Sequence, residues 1–192
     1  MEAEKRNELI VATHNLHKLA EISAMLPEWS VRGEDDGAEE TAQTFEGNAL
    51  IKARAAAAAN KGAWILADDS GLEVDALNME PGVRSARYAG EPSNSARNNA
   101  LLLEKLNGVK NRRARFRCAM AIISPEGVET VVEGRCEGSI LEAPQGNGGF
   151  GYDPLFVPEG YEKSFASLGE EIKNKISHRA KALQAAKEVL DI

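Results

Sequence analysis

Short apolar runs alternate along the chain with stretches that repeat at helical spacing. Leu9-Ile10-Val11-Ala12 predicts a buried strand, and Leu16, Leu19, Ile22 and Leu26 then recur every three or four positions until Pro27 stops the helix. An alanine-rich stretch from Asn48 to Asn60, carrying Lys52 and Arg54, predicts a second helix that stops at Lys61-Gly62. Trp64-Ile65-Leu66-Ala67 predicts a short buried strand that runs into Asp68-Asp69-Ser70-Gly71. Leu72, Val74 and Ala76 alternate with Glu73 and Asp75 as a further strand. Asn78 to Gly82 reads as a turn, and Ser93 as the cap of a helix through Leu106 that closes at Asn107-Gly108. A hairpin follows: Ala114, Phe116, Cys118, Met120 and Ile122 share one face, Ser124 to Gly127 turn, and Val128, Thr130, Val132 and Cys136 return. A Gly- and Pro-rich loop spans Ala143 to Gly160, and Glu170 to Leu190 is helical in pattern. Strands and helices without strict alternation predict an α/β fold with a mixed sheet. No boundary divides the chain, so 1–192 is expected to be a single domain.

The chain has 192 residues, 43% of them hydrophobic and 28% charged, which excludes disorder as the main state and excludes a disulfide miniprotein. No run approaches the roughly 18 apolar residues of a membrane span. The apolar stretch from Leu9 to Thr13 is too short for a signal peptide, so the expected location is cytoplasmic. With 30 acidic and 23 basic residues the net charge is −7, which argues against a surface for duplex nucleic acid and leaves room for one pocket that takes an anion. Neither nucleic acid nor a membrane is expected as a partner. Cys118 and Cys136 lack CxxC spacing and read as buried thiols.

Four segments could carry chemistry. Thr13-His14-Asn15-Leu16-His17-Lys18 lies where a strand gives way to a helix, a place that attracts anions, though it is no Walker loop and Thr or Asn there is ordinarily a cap. His14 and His17 have nothing nearby to complete a metal site and read as exposed. Asp68 and Asp69 follow an apolar strand. Adjacent carboxylates repel unless a cation or solvent separates them, and Mg²⁺ takes one or two carboxylates beside waters and phosphates. An Asp-Ser-Gly turn is the competing reading. Gly148-Gly149-Phe150-Gly151-Tyr152-Asp153-Pro154 offers close backbone approach and an aromatic face for a base, against an ordinary surface loop. Lys173 and His178 would stand about 140° apart on one continuous helix. A break at Ser177, capping a new helix with His178 and Arg179 in its first turn, lets them share a site; a solvated basic face is the alternative.

Together these segments resemble the inosine triphosphate pyrophosphatase family, which removes non-standard purine nucleoside triphosphates. The matching stretches are Ala12 to Lys18, Thr44 to Ala53, Ala67 to Leu72, Pro81 to Gly90, Phe150 to Pro154 and Ser177 to Arg179, in order from Thr13 to Leu183. The resemblance implies an elongated mixed α/β fold of two lobes with an active-site cleft between them, a homodimer, Mg²⁺ as cofactor, and cleavage of ITP, dITP or XTP to the monophosphate and pyrophosphate. It implies that Thr13, His14, Asn15, Leu16, His17 and Lys18 hold the triphosphate with Lys52. Asp69 would be the catalytic carboxylate and a metal ligand with Asp68 beside it, and Ser70 would meet the substrate. Phe150, Gly151, Tyr152 and Asp153 would form the base pocket, and Lys173, His178 and Arg179 the remaining nucleotide contacts. Two departures stand out. Family members often carry a metal-binding Glu where this chain has Gly47, so either the neighbouring Glu46 serves as ligand, the reading favoured here, or Mg²⁺ rests on the aspartates and waters. Ser167 stands where the family often has Glu. Two other functions share these features: a related pyrophosphatase of pyrimidine or modified nucleotides, and a non-enzymatic nucleotide-binding module. Phe150 to Asp153 with Ser177-His178-Arg179 favour purines over the first, and Asp68-Asp69 count against the second.

Overall fold

A computed structural model describes residues 7–35 and 37–191; the first six residues of the polar start lie outside them. Strand β1 (Glu8–Ala12) is the apolar run read from the sequence, buried at its last four positions as a strand covered on both faces must be. Helix α1 (Leu16–Met25) follows, and β2 (Ser30–Glu34) returns parallel to β1 with Leu9 opposite Val31. Helix α2 (Phe45–Ala59) starts three residues before the expected Asn48, because the Thr44 side chain caps it by accepting from Gly47 N.

The largest correction concerns β3 (Trp64–Val74), which begins parallel to β1. The expected break at Asp68-Asp69-Ser70-Gly71 is absent, and eleven residues form one strand. The sheet order β2-β1-β3-β4-β5-β6 places β3 between β1 and β4, so a neighbouring strand on each side keeps it extended where turn-forming residues would bend an isolated segment. Two 3₁₀ turns, Asp75–Leu77 and Gly82–Arg87, lead to α3 (Ser95–Lys105). Asn94, not Ser93, caps that helix by accepting from Arg97 N at 2.9 Å. The hairpin is β4 (Arg113–Ile123) and β5 (Glu129–Ile140), closed by the expected turn with Gly127 N on Ser124 O. The expected loop after it contains β6 (Phe156–Pro158), antiparallel to β5 with Ile140 opposite Phe156. The C-terminal segment is α4 (Phe165–Leu168), α5 (Glu170–Ile176) and α6 (His178–Leu190). The break at Ser177 falls where the sequence reading put it, and Ser177 Oγ accepts from Ala180 N at 3.1 Å. Ser167 joins the cap of α4, its backbone N donating to Ser164 Oγ.

The chain forms two compact units, one from the described residues of 1–69, 119–133 and 182–192, the other from 70–118 and 134–181. In the first, Ala49, Ala53 and Ala56 of α2 pack on Ile10, Ala12, Ile65, Ala67, Ala121 and Ile123. Alanine at these positions lets the helix backbone lie close to the sheet. In the second, Leu72, Val74, Leu102 and Leu106 pack with Phe116, Phe156 and Phe165; the Phe116 ring is tilted against Phe156 at 4.5 Å between centroids, and Phe156 stacks on Phe165 at 5.6 Å. Cys118 and Cys136 are buried thiols, and burial pushes the Cys136 thiol up to about 11. Among the described residues no helix is long and apolar enough to cross a membrane.

Candidate active site

The first unit gathers charge around the middle of β3. Successive side chains of a strand face opposite sides of the sheet. Asp69 therefore shares the α2 side with Ile65 and Ala67, and Asp68 lies on the other. Asp68, fully buried, pairs with Lys18 of α1 at 3.2 Å. On the α2 side Asn48 and Lys52 stand four residues apart, hence on one helix face. Asn48 Nδ2 donates to Asp69 Oδ2 at 3.1 Å, and Lys52 Nζ donates to the Asp68 carbonyl and pairs with Glu40 at 3.3 Å. The pleat thus separates two carboxylates that the sequence sets side by side.

The electrostatics follow from this packing. Burial pushes the Asp69 carboxyl up to about 7, and Glu40 adds to the rise, while Lys52, Lys18 and the Asn48 hydrogen bond oppose it. Burial works against the charge of Lys52, but Asp68, Glu40 and Asp69 outweigh it and hold its pKa above the usual ammonium value. Thr13 Oγ1 accepts from Asn15 N, and Asn15 Oδ1 accepts from His17 N and Lys18 N, so Asn15 is a helix cap in this structure. His14 and His17 are exposed as expected, and Leu16 is 77% exposed.

The second unit gathers cations around an aromatic ring. Lys173 Nζ lies 4.3 Å from the Phe150 ring centroid and pairs with Asp153 Oδ2 at 2.7 Å. Arg179 lies 5.9 Å from the same ring and donates to Ser70 Oγ at 2.9 Å. Lys173 and Arg179 are only 3% and 1% exposed, which answers the alternative of a solvated basic face. His178, also buried, stacks on Phe116 at 4.7 Å. Asp153 Oδ2 also accepts from Phe150 N at 3.0 Å, and Gly149 makes this possible: a Cβ there would come within 2.2 Å of that oxygen. Tyr152 faces inward and donates its hydroxyl to Ser85 O at 2.7 Å, so only its backbone is left to meet a base. Asn99 of α3 anchors the loop through Gly151 O at 3.1 Å.

Sequence reasoning gave no role to Glu40, Asn48, Asn99 or Phe116. Asn48 was detectable, four residues before Lys52 on the same face; Glu40, in a polar stretch before the Thr44 cap, carries no periodic signal. Glu46 lies in the first turn of α2, half-buried, and the charge of Glu40 acts on Asp69.

A mixed α/β sheet with a buried carboxylate–lysine cluster and an aromatic ring flanked by cations is the equipment of a nucleotide-handling hydrolase. The family model for the Ham1 family matches residues 9–189, and the chain belongs to that family, in agreement with the resemblance read from its motifs. It is 50% identical over 192 residues to the dITP/XTP pyrophosphatase of Desulforamulus reducens, covering 95% of each chain. It is 48% identical over 185 residues to the enzyme of that name from Geobacillus kaustophilus, covering 92% of this chain and 90% of the relative. Among solved structures, the Staphylococcus aureus Ham1 protein matches with a TM-score of 0.85 at 40% identity, over 96% of this chain and 98% of that one.

Proposed function

We propose that this protein hydrolyses non-canonical purine nucleoside triphosphates, ITP, dITP and XTP, between the α- and β-phosphates, giving the monophosphate and pyrophosphate with the help of Mg²⁺. The observation that carries the reading is Asp69: a buried carboxyl held by Asn48, with Lys52 and Glu40 beside it. The names of the relatives support the substrate class.

Among the described residues no three His, Cys, Asp or Glu side chains group to hold a metal alone. A nucleotide-bound Mg²⁺ needs only one or two carboxylates, with phosphate and water completing its shell. Glu40 and Asp69 fit that donor set, because the charge of Glu40 works against ionisation of the buried Asp69 and a cation between them would relieve it. Bound there, Mg²⁺ would neutralise polyphosphate charge. Asp69 orients the attacking water and takes its proton. The water oxygen bonds to the α-phosphorus, the bond from that phosphorus to the α–β bridging oxygen breaks, and its electron pair leaves with pyrophosphate. Lys18 and Lys52 offset the charge that builds on the departing group. The ring of Phe150 stacks on the purine, and Lys173 and Arg179 present donors to it.

The test is pyrophosphate release across ITP, dITP, XTP, ATP and GTP, with and without Mg²⁺. Release from the first three only, and only with Mg²⁺, is expected; equal rates on ATP overturn the substrate class. A homodimer belongs to the same reading through the family resemblance, and a cytoplasmic location through the short apolar stretch from Leu9 to Thr13; a monomer in sedimentation velocity would remove the first.

A further inference from the structure

Asn48 is fully buried, and both ends of its amide are engaged. Its Oδ1 accepts from Ala42 N at 2.8 Å while its Nδ2 donates to Asp69 Oδ2 at 3.1 Å. A backbone N–H can only donate, so the amide cannot be turned round: oxygen faces Ala42 and nitrogen faces Asp69. One side chain of α2 thereby ties the catalytic strand to a segment that carries Glu40 two residues upstream of the tie. Gly47 is the second half of the device. A Cβ there would stand 2.7 Å from Ala42 Cβ, closer than packed atoms tolerate, and a tight 3.0 Å from Thr44 Oγ1. Glycine inside a helix is unfavourable relative to alanine, and here it makes room for Ala42.

We propose that Gly47 and Asn48 form a latch that seats the Glu40 segment on the first turn of α2 and fixes it in register with Asp69, which makes Asn48 a positioning residue for the two cation-holding carboxylates. The proposal rests on the reading of Glu40 and Asp69 as that pair. It gives the departure at Gly47 a meaning different from a lost ligand. A side chain at 47 and a close seat for Ala42 exclude one another, and this chain has the seat.

Three variants test the latch. Its seat is read by hydrogen exchange of the Ala42 amide in the metal-free protein, and its consequence by calorimetric titration with Mg²⁺ and by kcat. Asn48→Ala is expected to speed Ala42 exchange by about 10-fold or more, and to weaken Mg²⁺ binding by about 10–100-fold, the usual loss when a group that orients a ligand is removed. Gly47→Ala, which a purely helical role would tolerate or favour, should do the same and serves if Asn48→Ala does not fold. Asn48→Asp keeps the acceptor for Ala42 and turns an acceptor towards Asp69. Ala42 should stay protected while kcat falls by about 10–100-fold. Wild-type exchange of Ala42 in both alanine variants would overturn the latch. So would wild-type Mg²⁺ affinity once exchange has accelerated, or wild-type kcat in Asn48→Asp. Absence of Mg²⁺ binding by the wild-type protein would instead overturn the cation reading, and the exchange rates would still decide whether the latch exists.

Discussion

The cluster around Asp69 and the cluster around Phe150 both bury charge, and they differ in what surrounds it. Around Asp69 each charged group is answered by a particular atom: Asn48 on Asp69, Lys18 on Asp68, Glu40 on Lys52. Around Phe150 two buried cations lie near one ring, and one carboxylate, Asp153, holds both Lys173 and the turn that presents the ring. The first arrangement leaves a carboxyl whose protonation is finely balanced, which suits a step in which a proton moves. The second offers a flat face with donors beside it, which suits recognition. Substitutions in the first should therefore act on turnover and on cation demand. Those in the second should act on which base is accepted and how tightly.

The largest effect is expected from Asp69→Asn, with kcat falling by about 10²–10⁴-fold, the range for loss of a general base. The same variant should be more stable. Burial raises the carboxyl from 3.8 to about 7 in the folded protein, so between those values the unfolded chain releases a proton that the native one keeps. Wild-type stability then falls as pH rises through that window and levels off above it. Asn carries no such cost. Metal-free urea melts should show equal stability near pH 4 and a gain for Asp69→Asn on the order of 2–4 kcal/mol at pH 8. A folded variant with near wild-type kcat would take Asp69 out of the chemistry.

Next comes Arg179→Ala, on the recognition side. Hypoxanthine and xanthine present an acceptor at position 6 where adenine presents an amino donor. Arginine has only donors to offer. A site built this way discriminates by up to about 10⁴-fold, because the wrong base leaves buried polar groups unpaired. The ratio of kcat/KM for ITP over ATP should fall by about 10²-fold or more. The ratio is insensitive to how much protein is folded. Equal losses on both substrates would put Arg179 on the phosphates and move the polarity argument to His178 or Lys173.

Glu40 and Glu46 give a sharper test within the first cluster. Glu40→Gln should raise the Mg²⁺ needed for half-maximal rate by about 10–100-fold. Glu46→Gln should raise it less, since Glu40 pairs with Lys52 and its charge acts on Asp69. The reverse order would favour Glu46, the ligand expected from the sequence.

What could be read from the sequence and what could not divides along physical lines. Features written in local chemistry were legible: the apolar run of β1, the Pro27 stop, the 124–127 turn and the Ser177 cap that brings Lys173, His178 and Arg179 into one unit. Features that depend on a neighbour were not. The residues Ser30–Glu34 have no apolar alternation and become β2 through pairing with β1. Phe156–Pro158 becomes β6 through β5. Asp68-Asp69-Ser70-Gly71 carries turn chemistry and stays extended within the sheet. The sites divide in the same way. Asp69, Lys18, Lys52, Phe150 and Arg179 lie in motifs with a recognisable pattern. Glu40 reaches the cluster through a polar segment whose path is set by Asn48 and Gly47. Tyr152 looks like a ligand aromatic in the motif, yet its hydroxyl is needed by Ser85 O in the interior.

The smallest effect, and the one that most directly separates the two clusters, is expected from Phe150→Leu. Leucine keeps an apolar side chain at this half-buried position, and Phe150 N can still donate to Asp153 Oδ2, so the turn should hold. What is lost is the π face: stacking on a base, and the attraction between the ring and Lys173 4.3 Å away. Base–aromatic stacking is worth about 1–3 kcal/mol by alanine substitution, and leucine recovers part of the contact, so a rise in KM of roughly 5–30-fold is expected. Every purine has a π face, so the loss should be similar for ITP and XTP and should leave their ratio unchanged, in contrast to Arg179→Ala. At saturating substrate kcat should stay within about 2–3-fold of wild type, because stacking on a remote part of the substrate is made equally before and during the reaction. The Mg²⁺ requirement should not move, since no carboxylate near Asp69 is touched. A fall in kcat comparable to the rise in KM would mean that the ring positions the reacting phosphate as well as the base, and the division of labour between the two clusters would fail.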